Sequence, residues 1–180
     1  MSRRLSTSLL LALLIVLATA LTACGGEETE GEAVEGQPLE LGNLTYNVQI
    51  TRFLNPDNVE DANYLAGQEP AGTDQEYLGV FIRIINESDE TATIPDSFEI
   101  VDTRGTTYEA LPSESPFALE PGAEIEPDGE YPPFDTPARS GPIKGAMLLF
   151  LLDDTTVENR PIRLLIPGED GEDGSIELDL

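Results

Sequence analysis

Residues 77–85 read YLGVFIRII, and this stretch constrains the fold more than any other. Leu78, Val80, Ile82 and Ile84 form one row, and Tyr77, Phe81, Arg83 and Ile85 form the other. Side chains of a strand point alternately to its two faces, so a segment apolar in both rows belongs at the centre of a sheet with cover on both sides. The same period of two recurs in LTYNVQI, where Leu44, Tyr46, Val48 and Ile50 alternate with Thr45, Asn47 and Gln49, predicting a half-buried strand. AMLLFLL, residues 146–152, is apolar throughout and bounded by Gly145 and Asp153. Seven residues suit a strand buried on both sides better than a helix. SFEIVD and TTYEAL flank DTRG, where Gly105 supports a tight turn, and FALEPGAEI turns at Pro121-Gly122. IRLLI and SIELDL add further strands, the last with Ile176, Leu178 and Leu180 in step. Seven to nine short strands separated by turns pack as an all-β, antiparallel β-sandwich. The one helix candidate lies in the 55–67 loop, with Asn55 as N-cap, Pro56 in the first turn and Gly67 as stop.

Charge and composition exclude several functions. There are 35 Asp and Glu against 9 Lys and Arg, with no cluster of basic residues. Phosphate contacts with nucleic acid need a basic face, so nucleic acid is excluded as a partner. Without histidine there is no imidazole base and no His ligand for a metal, and one cysteine permits no intrachain disulfide. No cofactor and no metal ligand set is expected.

That cysteine sits at a boundary. Arg3 and Arg4 precede an apolar run over residues 9–21, and charge resumes at Glu27. A charged start, a short apolar run and small residues before a cleavage point describe a secretory signal peptide. Thirteen residues rise only ~20 Å as a helix, short of a ~30 Å hydrocarbon core. Leu21-Thr22-Ala23-Cys24-Gly25 resembles the lipobox of bacterial lipoproteins. The resemblance implies diacylglycerol on the Cys24 sulfur, cleavage just before it, and a protein held at the extracytoplasmic face of the cell membrane. Two or more acyl chains anchor stably where one does not. Ser6 stands where a twin-arginine signal usually has a bulky apolar residue, which favours general secretion. Residues 1–23 are therefore the expected signal peptide. GGEETEGEAVEGQ, residues 25–37, carries five Glu and four Gly and predicts, with Cys24, a disordered acidic tether over 24–37. The folded domain is expected over 38–180.

YLGVFIRIINES, FEIVDTRGTTYEAL and LEPG follow one another in the order seen in the telokin-like, immunoglobulin-like domains of Gram-positive lipoproteins, and residues 40–152 resemble that family. In it a long central strand ends at an Asn turn, as at Asn86, and a hairpin leads to a Tyr, as at Asp102, Gly105 and Tyr108. The resemblance implies an immunoglobulin-like sandwich and an envelope location, and it brings no catalytic residues. The chain departs from the family over 126–142, where five prolines remove ladder donors and predict an irregular loop or edge.

The candidate chemistry is sparse. Asp153-Asp154 and Asp135 are the carboxylates available to a hydrolase of envelope glycans, though 35 acids make some close pair inevitable. DNVED, 57–61, and GEDGEDG, 168–174, are oxygen-rich, but Val59 breaks the EF-hand spacing. Tyr64, Tyr131 and Phe134 lie on long loops and are candidates for an interaction surface, set against the simpler role of capping the sandwich ends. The sequence thus predicts a non-catalytic, lipid-anchored module that binds an envelope protein or glycan. A carboxylate hydrolase and a structural or antigen-like spacer without a ligand are the alternatives.

Overall fold

The computed structural model describes residues 31–168 and 171–180. The predicted signal peptide, lipobox and Cys24 lie outside them. Twelve strands form among the described residues: β1 Glu32–Val34, β2 Pro38–Leu41, β3 Leu44–Leu54, β4 Gln75–Asn86, β5 Ala92–Thr93, β6 Glu99–Val101, β7 Thr107–Glu109, β8 Glu124–Ile125, β9 Glu130–Tyr131, β10 Ala146–Asp153, β11 Ile162–Ile166 and β12 Gly174–Leu178. One sheet has the order β1-β12-β11-β6-β7, and the other β10-β4-β3-β2. β5 and β8 make a small separate ribbon. All pairs are antiparallel except β1 with β12. The molecule is a β-sandwich, as the alternation predicts.

β4 is central. β3 pairs with it from Leu44↔Asn86 to Leu54↔Tyr77. β10 takes its other side up to Ala146↔Ile82, and β9 continues that side at Ile84 and Ile85. The row Leu78, Val80, Ile82 and Ile84 enters the core between the sheets. There it meets Val48, Leu148 and Phe150 from its own sheet, and Ile100, Leu164 and Ile176 from the other. Tyr77 and Phe81 point the opposite way, into a second core with Leu54, Tyr64, Leu65, Met147 and Leu149. Residues of the 55–76 loop and of the segment after β7 cover that face, which is why both rows of β4 are apolar.

Four expectations need correction. The described part of the expected disordered tether, from Gly31 on, is ordered. Glu32–Val34 joins the first sheet, and Glu35 pins the segment down: its carboxylate accepts the N–H of Thr51 at 3.0 Å and of Asp179 at 3.1 Å. Backbone pairing and one two-armed carboxylate order a stretch with little apolar surface. The row of β3 is broken at Gln49, where a bulge lets two residues take the space of one. Leu44, Tyr46 and Val48 face the core, and Ile50 turns outward at 39% exposure. The 55–67 loop is a chain of turns, not a helix. Asn55 Oδ1 accepts the Asp57 N–H and Asn58 Oδ1 the Glu60 N–H, so side chains compete with helical bonding. The α-helices among the described residues are single turns, α1 Pro137–Ser140 and α2 Asp154–Val157. α1 and β9 lie within the proline-rich 126–142 segment and give it partial order.

Asn86 terminates β4 inside the protein. Its amide donates to the carbonyls of Glu90 (2.7 Å) and Ile125 (2.8 Å), and its Oδ1 accepts from the Ser88 N–H (3.0 Å). A fully buried amide is tolerated there because its polar atoms are satisfied. The Asp102 hairpin is built likewise. Asp102 Oδ1 accepts the N–H groups of Arg104 and Thr106 at 2.9 Å, and Gly105 takes φ +83°. Burial opposes ionisation of Asp102, but the Thr106 and Arg104 N–H groups and the Arg104 guanidinium outweigh it, so the pKa is lowered.

Candidate functional site

β10 is the edge of its sheet, and the chain after β7 runs beside that edge. The Leu111 N–H donates to the Leu149 carbonyl at 2.7 Å, and further along the Met147 N–H donates to the Phe117 carbonyl at 2.7 Å. Between these contacts lies PSESP, residues 112–116. Pro112 and Pro116 have no N–H to give, so the segment bows away from the edge. Its polar groups are satisfied locally, with Ser113 Oγ accepting the Ser115 N–H and Ser115 Oγ the Phe117 N–H.

The bow opens a groove of about 730 Å³, a size suited to a small ligand or a short peptide segment. Phe98, Leu111, Met147 and Leu149 supply apolar walls. Asp96, Glu109 and Glu120 stand exposed along it, and no Lys or Arg lines it. The proline-rich segment closes the far side with Tyr131, Pro132, Pro133 and Ala138. Tyr131 Oη accepts the Glu120 N–H at 3.1 Å. Burial raises the pKa of this phenol, the Glu120 N–H draws it down, and the Glu120 carboxylate raises it again, with a net increase. The hydroxyl therefore keeps its proton at neutral pH and remains a donor. The groove has an apolar interior, a negative rim and one phenol, which fits a neutral or cationic occupant.

The three aromatics singled out in the sequence do not act together. Tyr64 is buried in the second core, edge-on to Phe81 with ring centroids 5.2 Å apart and 4.7 Å from Phe117. It is a packing residue and drops out as an interaction residue. Tyr131 is half-buried in the groove wall. Phe134 is 77% exposed, with the Arg139 guanidinium over its ring at 4.5 Å. Sequence reasoning missed the PSESP bow, although its two prolines beside an edge strand carried the signal.

The candidate acids do not all meet. Asp153 and Asp154 line a shallow cleft with Asp74 and Gln75, and Asp135 does not line it. Asp153 already accepts from Gln75 (3.3 Å) and Tyr108 (3.4 Å). In the 57–61 segment, Asp61 is buried against the Arg52 guanidinium and accepts the Asn55 N–H, so it is not free to ligate a cation. Among the described residues no three acids or thiols gather as a metal site.

No family model and no curated protein matches the sequence. Solved structures do resemble the fold. A candidate lipoprotein of Bacillus subtilis, ycdA, superposes with a TM-score of 0.50 at 14% identity, covering 84% of this chain and 39% of its own. An uncharacterised β-sandwich protein of Clostridium difficile gives 0.49 at 15% identity, covering 87% of this chain and 99% of its own. The yjhA protein of Bacillus subtilis gives 0.49 at 10% identity, with 82% and 99% covered.

Proposed function

We propose that this chain is a non-catalytic binding module of the cell surface, anchored by lipid on Cys24 at the extracytoplasmic face of the membrane, with a telokin-like, immunoglobulin-like sandwich as its working part. One observation carries the reading: a sandwich whose first strand starts at Glu32 follows closely on the lone cysteine in Leu21-Thr22-Ala23-Cys24. Seven Cα steps separate Cys24 from Gly31, at most about 25 Å of extended chain. The module is held close to the bilayer, so its partner is an envelope component within that reach. The groove beside β10 is the binding face, because it combines an apolar interior with a polar rim. The non-catalytic part of the reading is supported by the shallow cleft that Asp74, Asp153 and Asp154 share, where Asp153 is already engaged by Gln75 and Tyr108 and Asp135 takes no part.

The anchor is tested by metabolic labelling with palmitate. Label is expected in the wild type and not in Cys24→Ala, and label in the variant overturns the assignment. The groove is tested by recovery of envelope components on the immobilised protein. Glu109→Lys with Glu120→Lys should abolish whatever the wild type retains, and unchanged retention refutes the groove as the binding face.

A further inference from the structure

The described residues hold seven cations among a large excess of acids. Arg52, Arg104 and Arg163 each face a carboxylate of their own, in Asp61, Asp102 and Glu32. Arg160 donates to the Val157 carbonyl. The other three converge. Arg83 of β4, Arg139 of α1 and Lys144 line a single pocket of about 190 Å³ with Gln49, Pro132 and Gly145, and among the described residues no carboxylate lines it.

Among the described residues, Glu130 is the one acid that meets this trio. It takes both the Arg83 and the Arg139 guanidinium, and its side chain is only 15% exposed. One carboxylate against three cations leaves the cluster a net charge of +2, and Lys144 makes no ion pair among the described residues. Like charges gathered in one pocket repel, and with 35 acids in the chain a second carboxylate opposite Lys144 would be the simple remedy. The fold instead holds the cations in place. Phe134 supports the Arg139 guanidinium from outside. Gly145, at φ +134°, runs so near Ile82 that a Cβ would lie 3.1 Å from its backbone nitrogen, which brings Lys144 up to β4. The bulge in β3 leaves Gln49 unpaired with β4 and at the pocket wall, where its amide donates to Asn47 Oδ1.

We propose that this pocket binds a small oxyanion, a phosphate group in particular. Two guanidinium forks and an ammonium are the donors such a group requires. The space exceeds one phosphate and admits an ester substituent. This site is separate from the groove, with which it shares Pro132, and does not depend on the anchor.

Calorimetric titration of the full chain in non-ionic detergent, with inorganic phosphate at an ionic strength held near ~0.15 M, tests it. Saturable binding at millimolar phosphate is expected. Lys144→Gln, an exposed side chain without an ion-pair partner, should weaken it about tenfold, the usual loss for one charge-assisted bond. Arg83→Gln combined with Lys144→Gln should abolish it, whereas Arg160→Gln should leave it unchanged. A parallel titration with dimethyl phosphate separates the sources. Tighter binding of the diester assigns the site to a lipid headgroup, and tighter binding of inorganic phosphate assigns it to free phosphate or a monoester. No saturable binding up to tens of millimolar of either anion, or equal affinity in Lys144→Gln, overturns the proposal.

Discussion

Phe81→Ala probes the second core directly. Phe81 is fully buried on the face of β4 that points away from the other sheet, and Tyr64 meets its ring edge-on at 82°. If the 55–76 loop packs there as described, truncation should cost about 3–5 kcal/mol, the usual range for a core Phe. With a urea m-value of about 1–3 kcal/mol/M, the midpoint should fall by at least about 1 M. Of that cost, about 0.5–1.5 kcal/mol should belong to the ring pair itself, and a double-mutant cycle of Phe81→Leu with Tyr64→Leu isolates it. Leucine keeps most of the volume, so both single variants should stay folded. The assay is urea unfolding of residues 25–180 followed by far-ultraviolet circular dichroism, since the chain has no tryptophan. A cost below about 1 kcal/mol for Phe81→Ala, or no coupling between the rings, would mean that the outer face of β4 is open and the loop does not pack on it.

Three further outcomes follow from the same contacts. Asp102 has a lowered pKa in the folded state, so its contribution to stability is full above the ordinary carboxylate value, near ~3.9, and is lost as pH falls through the native value. The stability gap between wild type and Asp102→Asn should therefore be constant above about pH 5 and close below about pH 4, and a gap that persists in acid refutes the assignment. Glu35→Ala removes two N–H acceptors and should cost about 1–2 kcal/mol while exposing β1 to rapid amide exchange; unchanged exchange at Glu32–Val34 would show that β1 does not rely on Glu35. In a fragment of residues 25–180 the 35 acids face 7 bases, so its melting temperature should rise with sodium chloride as the Debye length falls from ~30 Å at 0.01 M to ~10 Å at 0.1 M. A flat or falling melting curve would show that self-repulsion is not a dominant strain.

By itself the sequence determined the sandwich and the centre of one sheet. Alternation in 77–85 is a local property of the strand, and it named which residues face which side of β4 before any partner was known. The Asp102–Gly105 hairpin was legible for the same reason, because a turn is set by its own few residues. Tertiary structure decided the rest. β1 carries too few apolar residues to announce itself, and it is ordered only because the edge of β12 and the Thr51 and Asp179 amides are there to receive it. The bulge at Gln49 reversed the facing of Ile50, a change of register that depends on β4 and leaves no mark in the composition. Tyr64 looked like a loop aromatic and became core because Phe81 and Phe117 lie beneath it. The groove and the cationic pocket both unite residues far apart in sequence, so neither could be seen until the chain had folded back on itself.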